Sequence, residues 1–132
     1  MVAKFLIISL DTEPSIHTFL AYAAMSSFPD AIIIGLHSLE QFQHYLSDVE
    51  SQPPNLLLID SDLSAPGGIN QLLARLRANA RLEQTRIILL ATALNMHDMV
   101  DFYQAGGTLY REKPKALSDW HDLVLTLKTY KA

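Results

Sequence analysis

Residues 56–62 read LLLIDSD, an apolar run that ends in two aspartates. Apolar residues that follow one another without alternation are typical of a parallel strand covered on both faces. Three more runs have this character, Phe5–Leu10, Ala31–Leu36 and Ile87–Ala91, and Thr108–Tyr110 is a shorter candidate for a fifth strand. The sequence therefore predicts buried parallel strands, with Asp60 at the end of the third.

Apolar stripes of helical period separate these runs and follow the last of them. The five stripes are Ile16, Phe19, Leu20, Ala23 and Ala24; Leu39, Phe42, Tyr45 and Leu46; Ile69, Leu72, Leu73 and Leu76; Met96, Met99, Val100 and Tyr103; and Leu117, Trp120, Val124 and Leu127. Strands and helices thus alternate five times. Because crossovers between parallel strands are right-handed, this alternation predicts an α/β fold with a doubly wound five-stranded parallel sheet and five helices.

The connections carry ordinary turn signals, among them Pro66-Gly67-Gly68 before the third helix and Gly106-Gly107 after the fourth. The 132 residues contain no linker, repeat or low-complexity segment. A chain of this length fits one domain with a substantial core. We therefore expect residues 1–132 to form a single domain.

Composition excludes several classes of function. The formal charge of −4 and the lack of a dense Lys/Arg run give no electrostatic footprint for direct nucleic-acid binding. The sequence has no cysteine, which fits a reducing compartment and makes the cytoplasm the expected location. No apolar run approaches the roughly 20 residues that span a bilayer, so we expect no membrane segment.

Polar side chains stand at the ends of the predicted strands. Asp11 follows the first, Asp60 and Asp62 follow the third, Thr92 follows the fourth, and Lys113 follows the fifth. In a doubly wound sheet these carboxyl ends form the ligand-binding edge. Carboxylates there suit a hard cation such as Mg²⁺, and a lysine can hold a phosphoryl oxygen. The arrangement predicts phosphoryl transfer.

Some of these residues also fit ordinary structural roles. Asp60 could end its strand by hydrogen bonding to a loop, although its position and neighbours favour chemistry. Asp11 is equally suited to the positive end of the first helix, and the residues do not decide between that role and metal binding. Thr12 is better explained as a helix cap ahead of Pro14.

Two motifs resemble the receiver (CheY-like) domains of two-component response regulators. Leu57-Leu58-Ile59-Asp60, followed by Gly68-Ile69, is similar to the family's acceptor segment. Residues 105–114, AGGTLYREKP, are similar to its conserved run ending in Lys-Pro. The resemblance spans nearly the whole chain and implies the strand order 2-1-3-4-5.

The resemblance also implies a function. Asp60 would accept a phosphoryl group from a histidine kinase or phosphotransfer protein, and Lys113 and Thr92 would assist at the site. Asp11, Asp60 and Asp62 would hold Mg²⁺, with Asp62 offering its backbone carbonyl and keeping its side chain in solvent. Such a protein is no enzyme beyond its own phosphorylation and dephosphorylation.

The output surface is implied in the same way. Receivers meet downstream proteins through helix 4, strand 5 and helix 5, and a homodimer is among the assemblies that these features permit. The switch and interface positions would be Ala91, Tyr110, Phe102 and Pro114, with Pro114 in a cis peptide and Phe102 on the exposed face of helix 4. Trp120 resembles a feature of stand-alone receivers that pair with phytochrome-like kinases.

Two departures from the family pattern bear on phosphorylation. The family has two adjacent acids after strand one. The corresponding positions here are Asp11 and Thr12, so the second acid is missing. A gapless alignment would place Ser9 and Leu10 there and lose both acids, but it would also put His17 and Thr18 at buried positions. The family's switch Ser or Thr after strand four corresponds to Ala91, so the hydroxyl that would bond a phosphoryl oxygen is absent. The residues leave open whether the protein relays phosphate or is a degenerate receiver that binds partners without it.

A phosphatase of the haloacid-dehalogenase type is the rival hypothesis, because Asp60-Ser61-Asp62 resembles that family's nucleophile and general acid. Its motif belongs on the first strand, however, and no acidic pair follows a later strand here. Flavin binding is disfavoured by the acidic loop Asp11–Ser15, which lacks a hydroxyl-rich phosphate cradle.

Overall fold

The computed structural model describes residues 4–63 and 67–131. The strands are β1 (Phe5–Leu10), β2 (Ala31–Leu36), β3 (Leu56–Asp60), β4 (Arg86–Ala91) and β5 (Leu109–Glu112). The helices are α1 (Pro14–Ser27), α2 (Leu39–Ser47), α3 (Gly68–Ala78), α4 (Met96–Gln104) and α5 (Leu117–Lys128), with 3₁₀ turns at Ala80–Leu82 and Thr129–Lys131. Strands and helices alternate as predicted.

The five strands of the described residues form one parallel sheet in the order β2-β1-β3-β4-β5. This confirms the predicted fold class and strand order. The chain reverses its direction of winding between β1 and β3, so these two strands flank the topological switch point. The carboxyl ends of β1, β3, β4 and β5 consequently lie side by side.

Helices cover both faces of the sheet, because the strand side chains alternate between two apolar clusters. One face carries Ile8, Leu57 and Leu89 and is covered by α2, α3 and α4. The opposite face carries Ile7, Leu58 and Ile88 and is covered by α1 and α5. β3 lies in the centre of the sheet, and all five of its residues, including Asp60, are buried.

Local sequence explains where several helices begin. The Ser38 hydroxyl accepts a hydrogen bond from Gln41 N at 3.1 Å and caps α2. Asn95 Oδ1 accepts one from Asp98 N at 3.1 Å and caps α4. Each cap satisfies one of the backbone N–H groups that a helix start leaves unpaired. α1 instead begins on Pro14, whose fixed φ suits the first turn.

The predicted buried face of α4 was wrong. Met96, Val100 and Tyr103 are exposed, whereas Phe102, predicted on the exposed face, is only 1% exposed and packs in the core. Met99 and Phe102 form the inward face instead. Both patterns have helical period, but the Phe102 ring packs against Gly107 and lies 5.8 Å from the Tyr110 ring of β5.

Two other stripe members, Phe19 of α1 and Leu117 of α5, are also exposed although their patterns predicted burial. Pro66, which the sequence places in the turn before α3, lies outside the described residues. Within the two described ranges, no helix is both long enough and apolar enough to cross a bilayer.

Candidate functional site

Three charged side chains converge at the carboxyl edge of the sheet. Asp11 follows β1, Asp60 is the last residue of β3, and Lys113 follows β5. Backbone hydrogen bonds extend the sheet to these positions, from Asp11 N to Leu36 O at 3.1 Å and from Lys113 N to Ala91 O at 2.7 Å. The cluster of Asp11, Asp60 and Lys113 is therefore held by the sheet itself.

The lysine pairs with both acids. Lys113 Nζ lies 2.8 Å from Asp11 Oδ2 and 3.5 Å from Asp60 Oδ2. The side chains of Asp11, Asp60 and Lys113 are 3%, 5% and 16% exposed. An ammonium that neutralises carboxylates away from water is bound far more firmly than in a surface ion pair. Asp11 holds the shorter of the two contacts.

Backbone amides occupy the other carboxylate oxygens. Glu13 N donates to Asp11 Oδ1 at 2.9 Å, and Asp62 N donates to Asp60 Oδ1 at 3.3 Å. Both are bonds to the residue two positions ahead, which is the usual way in which aspartate stabilises a turn. The structural and chemical roles predicted for Asp11 and Asp60 are thus compatible, because each carboxylate uses one oxygen for the turn and the other for Lys113.

The surroundings of Asp60 disfavour its charged form. Burial raises the pKa of the Asp60 carboxyl, the nearby Asp11 charge adds to the rise, and the Asp62 amide and Lys113 oppose it. Burial also lowers the pKa of the Lys113 ammonium, but its hydrogen bonds and charge interactions with Asp11 and Asp60 outweigh that effect and raise it overall. Lys113 therefore stays charged at neutral pH.

Asp62 and Thr92 meet each other rather than the cluster. The Thr92 hydroxyl donates to Asp62 Oδ2 at 2.9 Å, and both residues are exposed. This bond joins the loop after β3 to the loop after β4. No residue pattern in the sequence signals it, since the two positions are thirty residues apart.

The Asp62 side chain does not join those of Asp11 and Asp60 in a set of three metal-ligating side chains. Within residues 4–63 and 67–131, no group of three or more His, Cys, Asp or Glu side chains could hold a metal ion. The Asp62 side chain is turned to Thr92, as a solvated side chain at this position would be, and the ligand set of Asp11, Asp60 and Asp62 stays a prediction.

Asp11 and Asp60 still fit a divalent ion as a pair. Mg²⁺ is commonly held by one or two carboxylates with water completing its octahedron. With all three groups charged, two carboxylates and one ammonium leave the cluster with a net charge of −1. The pair therefore fits a weakly held Mg²⁺ that competes with Lys113 for the same oxygens.

The predicted switch positions lie at the end of β4, in α4, in β5 and directly after Lys113. Ala91 is buried at the end of β4 and offers a methyl group in place of a hydroxyl. Tyr110 is buried in β5, with its ring centroid 5.8 Å from that of Phe102. Tyr110 N donates to the hydroxyl of Tyr103 at 2.9 Å, a contact that the sequence did not predict.

Pro114 lies directly beyond Lys113, and the bond between them is trans, whereas the resemblance implied cis. The trans form is favoured for an Xaa-Pro bond by about 0.5–1 kcal/mol in the absence of other constraints. A cavity of about 440 Å³ runs from Leu94 past Tyr110 and Pro114 to Asp119 and Asp122. It lies between the loop after β4, β5 and α5, so the predicted partner face contains an open groove.

The fold is similar to that of solved response regulators. No family model matches the sequence, and no curated protein matches it either. Solved structures do match the fold. The Mn²⁺-bound form of the response regulator Rcp1 is 21% identical, with a TM-score of 0.79 over 98% of this chain and 94% of that one.

Two further structures show the same similarity. The phosphorylated cyanobacterial phytochrome response regulator RcpA is 18% identical, with a TM-score of 0.79 over 97% of this chain and 94% of that one. The chemotaxis response regulator CheY4 of Vibrio cholerae is 12% identical, with a TM-score of 0.76 over 97% and 99%. At these identities the similarity establishes the fold, and it gives no support to a dehalogenase-type phosphatase.

Proposed function

We propose that this chain is a receiver domain of phosphorelay signalling, in which Asp60 accepts a phosphoryl group from the phosphohistidine of a kinase or phosphotransfer protein. One observation carries the proposal: a buried carboxylate at the carboxyl end of the central strand lies 3.5 Å from a half-buried lysine ammonium. Phosphoryl transfer needs a positioned nucleophile and compensation of the negative charge, and these two side chains supply both.

The transfer requires little chemistry from the protein. An oxygen of the Asp60 carboxylate attacks phosphorus, the P–N bond to the donor imidazole breaks, and the imidazole keeps the electron pair and takes up a proton. The Lys113 ammonium exchanges its contact with Asp60 for the incoming phosphoryl oxygens. Its 2.8 Å contact with Asp11 is retained, so the ammonium stays at the site. Mg²⁺, held by Asp11 and Asp60, would supply further positive charge to the phosphoryl oxygens.

Two features support a weakened response to phosphorylation. Thr12 stands where a second acid would strengthen the cation site, and buried Ala91 offers no hydroxyl to a phosphoryl oxygen. The Thr92 hydroxyl is already bonded to Asp62. We therefore propose that partner binding through α4, β5 and α5 depends less on phosphate than in a receiver with both groups.

A phytochrome-type histidine kinase is the proposed class of donor, supported by the resemblance at Trp120 and by the fold similarity to a phytochrome response regulator. Trp120 is buried between α1 and α5. The cytoplasm is the proposed location, because such kinases present their phosphohistidine there. The 132 residues are proposed to act as one receiver domain.

Intact-mass measurement after incubation with Mg²⁺ and acetyl phosphate tests the proposal. We expect the wild type to gain one phosphoryl group and Asp60→Asn to gain none. Asp62→Asn is the matched control, since it removes a neighbouring carboxylate that lies outside the cluster, and it should still gain the adduct. Absence of an adduct on the wild type at every Mg²⁺ concentration would overturn phosphoryl transfer.

A further inference from the structure

Helix α1 presents large apolar side chains to solvent. Phe19, Tyr22 and Met25 are 45%, 58% and 75% exposed, and their three-residue spacing keeps them along one side of the helix. None of the 14 residues of α1 is Asp, Glu, Lys or Arg, although 18% of the whole chain is charged. Solvated helix faces normally carry charge, so an apolar patch of this kind indicates an interaction surface.

A second stripe on α5 continues this surface. Leu117, His121 and Leu125 recur every four residues, and both leucines are exposed. His121 Nδ1 shares a hydrogen bond of 2.9 Å with Ser27 Oγ, so this stripe is the one that faces α1. The seam face is the surface that borders the contact between α1 and α5. It consists of Phe19, Tyr22, Met25, Leu117, His121 and Leu125.

The seam face carries both a projection and a hollow. Tyr22, Met25, Ser26 and His121 line a shallow cavity of about 350 Å³. Met25, one of these four residues, is also the most exposed of the three α1 side chains. A two-fold interface brings the same patch of both subunits together and must be self-complementary. The seam face meets that requirement, because the exposed Met25 side chain of each copy could enter the shallow cavity of the other.

Charge is distributed unevenly between the two ends of α1. Glu13 directly precedes the helix. At the other end Lys131 Nζ pairs with Asp30 Oδ2 at 2.6 Å, and Lys128 and Lys4 are close enough to act on the same carboxylate. An antiparallel arrangement of two α1 helices would place the acidic end of each against the lysines of the other, whereas a parallel one would oppose like charges.

We propose that a second copy of this chain binds the seam face, with the two copies related by a two-fold axis and their α1 helices antiparallel. The pairing buries Phe19, Tyr22 and Met25 without desolvating a charged side chain of α1. It leaves the edge cluster and the groove beside β5 accessible. It does not depend on phosphoryl transfer, and its tests are made without Mg²⁺ or a phosphate donor.

Sedimentation equilibrium over a concentration series tests the proposal. The apparent mass should rise from 14.8 kDa towards twice that value. Tyr22→Glu and Met25→Glu should each weaken association at least tenfold, while Met96→Glu on α4 and Val49→Glu after α2, both at exposed apolar sites, should leave it unchanged. A monomer at all concentrations, or a dimer lost with Met96→Glu, would overturn the proposal.

The orientation is tested separately. Because the chain has no cysteine, Tyr22→Cys introduces a single thiol, and mild oxidation should give a disulfide-linked dimer that Met96→Cys does not give. Glu13→Lys should weaken association, and adding Lys128→Glu should restore it. If the double variant associates more weakly than Glu13→Lys alone, the antiparallel arrangement is wrong. Circular dichroism of each variant verifies that it is folded.

Discussion

The Lys113 ammonium lies 0.7 Å closer to Asp11 than to Asp60, at 2.8 Å against 3.5 Å. The residue proposed as a metal ligand is therefore the main partner of the lysine, and the proposed phosphate acceptor is the secondary one. This arrangement keeps Lys113 in place while leaving Asp60 less completely neutralised.

Removing the lysine should destabilise the protein. Lys113→Met leaves Asp11 and Asp60 buried without a counter-charge, and breaking a buried pair in this way costs about 3 kcal/mol or more. Urea denaturation at pH 7 should show this loss. As pH falls through the pKa of Asp60, which burial raises, protonation of that carboxyl removes one unpaired charge, and the difference in stability from the wild type should narrow.

Lys115→Met is the matched control for that measurement. Lys115 pairs with Glu112 at 3.3 Å but is 78% exposed. Exposed pairs contribute about 0–1 kcal/mol, so the control should be close to the wild type at every pH. Equal losses for the two variants would show that the buried pairing of Lys113 contributes nothing special.

Neutralising the acceptor should stabilise the protein. Burial raises the folded-state pKa of Asp60 above its unfolded value, so the folded protein binds this proton more readily and loses stability as pH rises through that pKa. Asp60→Asn should therefore raise the free energy of unfolding at pH 7, because it removes a buried charge that folding disfavours. The difference from the wild type should vanish at acidic pH.

Thermal unfolding of wild type, Asp60→Asn and Asp62→Asn measures this effect. A pH range of about 3–8 is suitable because it includes the ordinary aspartate pKa of about 3.9. Asp62→Asn should change stability by no more than about 0.5 kcal/mol, because Asp62 is exposed. A lower stability of Asp60→Asn at pH 7 would mean that attraction to Lys113 outweighs the burial of the charge.

The revised face of α4 predicts a contrast between two neighbouring positions. Phe102→Ala removes a buried ring from the contact with Tyr110 and should cost about 3–5 kcal/mol. Val100→Ala, at an exposed position, should cost about 0.5 kcal/mol or less. Chemical denaturation of both variants measures the two losses of unfolding free energy. A larger loss for Val100→Ala would mean that the face predicted from the sequence is the buried one.

Gly35 of β2 should tolerate no side chain while His17 is present. A methyl group at Gly35 would lie 2.5 Å from the His17 ring, too close for any carbon contact. Gly35→Ala should therefore cost about 1–3 kcal/mol through displacement of the ring. His17→Ala in the same chain should recover much of the loss, and a double-mutant cycle by urea denaturation measures the coupling between the two sites.

Much of the fold follows from the sequence because each strand is locally marked. Runs such as Leu56–Ile59 are apolar throughout, which only a strand covered on both faces requires, and the alternation with helical stripes restricts the topology to a doubly wound sheet. The α4 face was not predictable in this way. Its stripe and the Met99–Phe102 pair both fit helical period, and only packing against β5 and Gly107 distinguishes them.

For the site, the sequence by itself determined which side chains reach the carboxyl edge, because Asp11, Asp60 and Lys113 directly follow or end parallel strands whose ends must coincide. Only the tertiary structure decided how they pair. The distances from Lys113 to the two acids and the hydrogen bond from Thr92 to Asp62 depend on strand register and loop path, which bring together residues far apart in the chain. Side-chain contacts across loops have no period in the sequence, so no local pattern could reveal them.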